Sequence, residues 1–210
     1  MLMAISFNTY RGIKDLVYAP LTISASPEGV ITEQYGEVKP LSGVIGIDVA
    51  TEEGTDNVYA DNGARIAIGY EGADTYTLTV TVLDLKTRAI IEGRTYDETK
   101  KCLVGTPSKK GYFAIGYKAG TVGDDGEDAE EWSWILKGKF SGGNKSHNTK
   151  ANNTDNSTVQ YTFTSVYTAT EFQLTGKKAP AKYVTIPSTH EAAATFFDAV
   201  TTPDKVTVTG

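Results

Sequence analysis

Residues 75–82 alternate without interruption, with Thr75, Thr77, Thr79 and Thr81 on one side and Tyr76, Leu78, Val80 and Val82 on the other. A period of two built from β-branched and aromatic residues predicts a half-buried strand, because successive side chains leave a pleated strand on opposite faces. The period then changes. Asp84 is placed to cap free backbone N–H groups, Leu85 and Ala89 lie four apart beside Ile90 and Ile91, and Gly93 suits the left-handed residue that ends a helix. Residues 84–92 are therefore expected to form a helix of roughly two to three turns at 3.6 residues per turn. Strands dominate the rest of the pattern, so this helix is expected to lie as a lid on a sheet's apolar face.

Residues 1–16 show no clean period and read as an N-terminal arm or a loosely attached lead-in. Residues 17–25 read as a first strand, in which Pro20 has no N–H to give a ladder and is expected at an edge or a bend. Residues 30–49 are apolar but interrupted by Pro40, Gly43 and Gly46, as in one limb of a long hairpin or an extended loop. Asp61, Asn62 and Gly63 form a tight-turn signal between residues 58–59 and 65–70. Further on, Phe113, Ile115 and Tyr117 alternate, and Trp132, Trp134, Leu136 and Phe140 share a face opposite Ser133, Ile135, Lys137 and Lys139. Residues 141–157 are almost wholly polar and read as an exposed loop, followed by strands over 158–168 and 170–175. Ser188 and Glu191 match a capping box that predicts a C-terminal helix over 188–200, with Ala192, Phe196 and Val200 four apart. Residues 201–210 are short, polar and β-prone, and either pad the end of the domain or form a C-terminal arm that adds a strand to a neighbour's sheet. The pattern as a whole predicts a mostly β chain, an antiparallel β-sandwich or barrel flanked by one short α-helix, with 1–210 as a single domain.

Composition narrows the class. Twelve Tyr, seven Phe, two Trp and 21 Gly suit twisted sheets with frequent turns. A net charge of −6, with lysines and arginines scattered or in short pairs, leaves no basic stripe to track phosphates. No apolar run approaches the roughly 18–20 residues that span a bilayer, and the first residues lack the features of a signal peptide, so no membrane association is expected. A lone cysteine, Cys102, makes no internal disulfide and gives no argument for an oxidising compartment.

No catalytic constellation emerges. The two histidines, His147 and His190, lie in a polar loop and beside the capping box, and no nucleophile elbow, zinc-binding pair or phosphate loop is present. The carboxylate-rich residues 120–131 lack the spacing of a calcium loop and read as a solvated hairpin tip. An enzyme is not expected, and no catalytic, cofactor-binding or metal-binding residue is assigned. Trp132 and Trp134 read as core anchors; the alternative is a monomeric carbohydrate-binding or adhesin module that uses them as a platform for sugar faces.

The order of NVYADNG, the strand and helix of LTVTVLDLKTRAIIEGRTYD, then YFAIGYKAG, WSWILKGKF and YTFTSVYTATEFQLTG resembles the major tail proteins of long, non-contractile-tailed bacteriophages. The resemblance covers about residues 40–200 and is strongest to the group carrying a V-Y-A-D-N-G run. It implies a structural tail-tube protein of the virion, assembled in the bacterial host cytoplasm as stacked hexameric rings through which DNA passes without specific binding. Partners implied are further copies of itself and the tape measure, tail tip and tail terminator proteins. Carried onto this chain, residues 38–59 become the ring-stacking, inter-subunit loop, 1–16 and 201–210 the terminal arms, and 141–157 an outward or inter-ring loop. Inter-subunit contacts then fall to Gly43, Gly46, Val49, Asp61, Asn62 and Gly63. Valine at Gly43 or Gly46 is expected to impair stacking more than folding.

Overall fold

Tyr76, Leu78 and Val80 all face inward and are buried, while Thr75, Thr77 and Thr79 are half-covered because their strand has a neighbour on each side. The computed structural model describes residues 8–41, 43–60, 63–123, 127–145 and 158–206, and of residues 8, 56–60 and 63–68 the backbone alone. Strand β1 spans Asn8–Ala25, β2 Ile31–Tyr35, β3 Lys39–Pro40, β4 Val44–Ala60 and β5 Gly63–Val80. After helix α1, Leu85–Glu92, come β6 Thr95–Asp97, β7 Cys102–Val104, β8 Tyr112–Gly123, β9 Asp128–Lys145 and β10 Val159–Ser165. The last strands are β11 Phe172–Leu174, β12 Lys177–Ala179 and β13 Tyr183–Pro187. The fold is thus mostly β and antiparallel, with a single α-helix among the described residues.

The main sheet runs β2-β1-β8-β9-β10-β5-β4, with β13 added on β9 and β3 on β1. It curls until β4 comes near β1 without a hydrogen-bonded ladder between them. The concave face holds one core, in which Phe113, Phe140 and Phe163 stack edge to face with centroids 5.3 and 4.9 Å apart. The convex face of β9 holds a second core, where Trp134 and Leu136 pack under Phe172, Ile186, Phe196 and Val200. Trp134 Nε1 donates to the Phe196 carbonyl at 2.8 Å, so the one polar atom of a fully buried indole is satisfied.

The helix forms as its sequence predicts. The Asp84 carboxylate accepts from the N–H groups of Lys86 and Thr87 at 2.9 and 3.0 Å, and Gly93 closes the helix at φ 63°. Its buried face is Ala89 and Ile91, and Ile91 joins the concave core, closing one end of the curl. Tyr161 lies beneath the last turn with its hydroxyl 3.2 Å from Glu92; burial and that carboxylate push the phenol up to about 12.

Several expected boundaries move. The segment 1–16 is not an arm from residue 8 onward: β1 begins at Asn8 and pairs with β8. Its register slips between Tyr10 and Ile13 and again between Lys14 and Val17, with Gly12 at φ 80° and Asp15 at φ 54°, so two bulges erase the alternation. Pro20 lies inside the sheet, but its carbonyl accepts from Gly36 N in the gap between β3 and β2, where a missing N–H costs no ladder bond. From Val44 onward the expected loop of residues 38–59 is strand instead: β4 is one limb of a long hairpin. Residues 141–145 continue β9, and the rest of the expected loop, 146–157, lies outside the described residues.

The face shared by Trp132, Trp134 and Leu136 does not extend to Phe140. Phe113 pairs with Gly138 but Ile115 with Ile135, so a bulge at 136–137 returns Phe140 to the side of Ile135. The expected helix over 188–200 is a 3-10 helix, Glu191–Thr195, continued by turns. His190 Nδ1, not Ser188, accepts the capping bond from Ala192 N at 3.0 Å. Bonds from Ala193 N to His190 O and from Phe196 N to Ala193 O set a period of three, which buries Ala193 and Phe196. Of the two readings of 201–210, residues 201–206 follow the padding and not the arm, since Thr202 is buried and Pro203–Lys205 form a short 3-10 turn; 207–210 lie outside the described residues.

A buried ion pair ties β2 to β9 and to the chain after β10. The Glu33 side chain, 2% exposed, takes Lys137 Nζ at 2.6 Å and the N–H groups of Ala169 and Thr170 at 3.0 Å. Burial alone would raise this carboxyl, but the Ala169 N–H, the Lys137 ammonium and the Thr170 N–H outweigh it and hold it below its ordinary 4.5. A depressed carboxyl contributes stability that is present above pH 4.5 and lost as pH falls through the lower folded value. Urea midpoints measured from pH 7 to pH 2 should therefore fall below about pH 4.5. Glu33→Gln, which leaves Lys137 buried without its anion, should cost about 3–5 kcal/mol at pH 7 and flatten that acid limb.

The helix ends give a second test. Asp84→Ala should cost about 1 kcal/mol in urea unfolding. Gly93→Ala should cost more than the ~1–2 kcal/mol of a left-handed residue, because a Cβ there would stand 2.5 Å from the Lys109 carbonyl oxygen.

Candidate functional site

Three features gather at the end of the curl opposite α1. There the concave face is not filled: a groove of about 560 Å³ opens between β4, β5, β1, β8, β9 and β13. Its floor is Tyr76, Ile135 and Tyr117, and its rim carries the exposed apolar side chains Tyr10, Ile45, Val49 and Tyr183. Tyr10 donates to the Glu131 carboxylate at 2.9 Å, and this bond holds the phenol above its usual range. Large apolar groups left in water at one place mark a contact surface more often than isolated ones do.

The second feature is an arm. β10 pairs with β5 only from Asp74 to Val80, so beyond Asp74 the β4–β5 hairpin has no further strand beside it among the described residues. The ladder nevertheless continues from Glu53↔Glu71 to Ala60↔Gly63, which carries a two-stranded ribbon about 25 Å past the body at 3.3 Å per residue. Its sequence places Glu52, Glu53, Asp56, Asp61 and Glu71 against Arg65 alone.

The third feature is the joint between arm and body. Between Thr51↔Asp74 and Glu53↔Glu71 one residue of β4 faces two of β5, a bulge at 72–73. Lys182, just before β13 and 2% exposed, reaches this bulge: Nζ lies 2.5 Å from Glu71 Oε1, 2.7 Å from the Gly72 carbonyl and 3.4 Å from Asp74 Oδ1. Tyr167 donates to the other Glu71 oxygen at 2.8 Å, and its ring centroid is 4.9 Å from the ammonium. The bond from Lys182 draws the Glu71 carboxyl down, and the one from Tyr167 adds to it.

The predicted inter-subunit residues fall along this one hairpin but are not brought together. Gly46 and Val49 line the groove. Gly63 stands at the arm's tip, roughly 50 Å along the strand from Gly43. Asp61 and Asn62 lie outside the described residues. Gly43 is part of the fold: at φ 81° its carbonyl accepts from Thr81 N at 2.8 Å, and a Cβ there would collide with Thr81 Oγ1. The groove itself and Lys182 were missed. The groove is made by six strands distant in sequence, whereas a lysine between Ala181 and Tyr183 in an otherwise apolar approach to a strand was a readable signal.

Neither tryptophan stands as an open platform. Trp134 is fully buried, and Trp132 packs on Phe196 and Phe197 with Lys118 Nζ 4.6 Å from its ring centroid. Among the described residues there is no group of His, Cys, Asp and Glu able to hold a metal ion, and no helix long and apolar enough to cross a membrane. No family model and no curated protein matches the chain.

Gly43 and Gly46 should now behave differently. Gly43→Val should destabilise the chain by more than ~1–2 kcal/mol, from the left-handed backbone and the collision with Thr81. Gly46→Val, where a Cβ would meet nothing within 4 Å, should leave the urea midpoint nearly unchanged and alter only contacts made at the groove.

Proposed function

We propose that this chain is a self-assembling structural subunit, a phage tail-tube protein whose copies form stacked rings around a DNA-conducting lumen. The observation that carries the reading is the arm, a two-stranded ribbon that leaves the body beside the groove's exposed apolar rim. An isolated two-stranded hairpin is marginal in water, so such an arm gains most of its order by packing on something outside its own body. The arm joins one ring to the next, replacing the expected stacking loop with a hairpin. Lateral contact within a ring uses the sheet's edge at β2, which among the described residues pairs only with β1, and beside which Val30 and Ile31 are exposed. The motif order of the sequence supports the same reading. The tape measure, tail tip and tail terminator proteins complete it as end partners.

Negative-stain electron microscopy of the purified protein across a concentration series should show rings or hollow tubes. Single small particles at every concentration would overturn assembly by this chain alone. A variant with residues 54–70 replaced by a Gly-Gly link should keep the thermal unfolding of the body and lose the tubes; tubes of normal length from it would remove the arm from the interface.

A further inference from the structure

We infer that Lys182 is the positioning residue of the arm, a buried ammonium that fixes the direction in which the hairpin leaves the body. The inference deepens the proposed assembly role and rests on it only for its consequence, since the arm's direction is a property of one chain. Asp74 is the last residue of β5 held by β10, and Glu71 and Gly72 are the first residues of the arm. Lys182 bonds all three, so one side chain spans the joint from the fixed part to the projecting part. Its own backbone is fixed on the body: the Lys182 carbonyl accepts from Leu136 N at 2.8 Å, and Tyr183 pairs with Ile135.

The joint needs such a tie. A bulge bends and twists a strand, and with no third strand beside it among the described residues the bend is not set by a sheet. Glu53 and Glu71 stand directly opposite each other at the arm's first pair, and the Glu52 carboxylate lies against Gly72. Like charges directly opposite are destabilising in a ladder and would splay the ribbon at its root. Lys182 places one cation against this group and also satisfies the Gly72 carbonyl, a backbone acceptor that the bulge takes out of the ladder. Tyr167 completes the clamp by holding the second oxygen of Glu71.

The test reads the arm's direction by electron spin resonance. Nitroxides are attached to Thr55→Cys on the arm and Lys100→Cys on the body, in a Cys102→Ser background, with excess unlabelled protein so that only distances within one chain register. The parent should give one narrow distance. Lys182→Met should lose it for a broad distribution, and Glu71→Ala should broaden it less, because Gly72 and Asp74 remain bonded. Glu53→Gln, an arm carboxylate outside the clamp, should keep the narrow distance. A narrow, unshifted distance in Lys182→Met with native near-ultraviolet circular dichroism would overturn the inference. Should that variant not fold, an unshifted narrow distance in Glu71→Ala would do so. Because the readout is intramolecular, a held arm in a chain that forms no tubes would sink the tail-tube reading alone, and a loose arm in tubes would sink the clamp alone.

Discussion

β9 is buried on both faces through its middle, and most of the architecture follows from that. Ile135 and Phe140 belong to the concave core, Trp134 and Leu136 to the convex one. A strand with two apolar faces needs a layer on each side. The curled sheet supplies the inner layer. The chain after β10 supplies the outer one, which is why residues from Phe172 to Val206 wrap back as short strands and 3-10 turns instead of leaving the body. The bulge at 136–137 makes both possible, because it turns Phe140 inward while Leu136 stays outside, and it delivers Lys137 to Glu33.

How much of this could be read in the sequence depends on how local each cause is. The β5 alternation and the α1 caps were legible because an Asp side chain, a glycine at positive φ and a period of two act within a few residues. The second bulge of β1 and the bulge of β9 were not, since one rests on a non-glycine residue, Asp15, in the left-handed region and the other on a pairing across β8. The C-terminal helix was misjudged by a single step in the bond pattern: bonds to i+3 instead of i+4 bury Ala193 rather than Ala192. Of the candidate residues, Gly46 and Val49 were placed at the groove by the hairpin they share. Gly43 looked equivalent in sequence, yet its positive φ and its contact with Thr81 make it a part of the fold.

The two ends of the curled sheet are built to different standards. At the α1 end, caps are satisfied, the last turn of the helix is bonded to the sheet through Glu92 and Tyr161, and Ile91 seals the core. At the other end, Tyr10, Ile45, Val49 and Tyr183 stand in solvent, two carboxylates face each other across a ladder, and a lysine is buried against a bulge. The exposed apolar side chains and the opposed carboxylates add nothing to the stability of an isolated body. A buried ammonium is costly to desolvate and repays it only through good geometry. Filling the groove and deleting the ribbon would remove exposed apolar surface and opposed charge together. When a chain keeps local rules at one end and breaks several of them at the other, the broken end is where a role besides folding is to be sought. For this protein that end is the arm, its joint and the groove beside it.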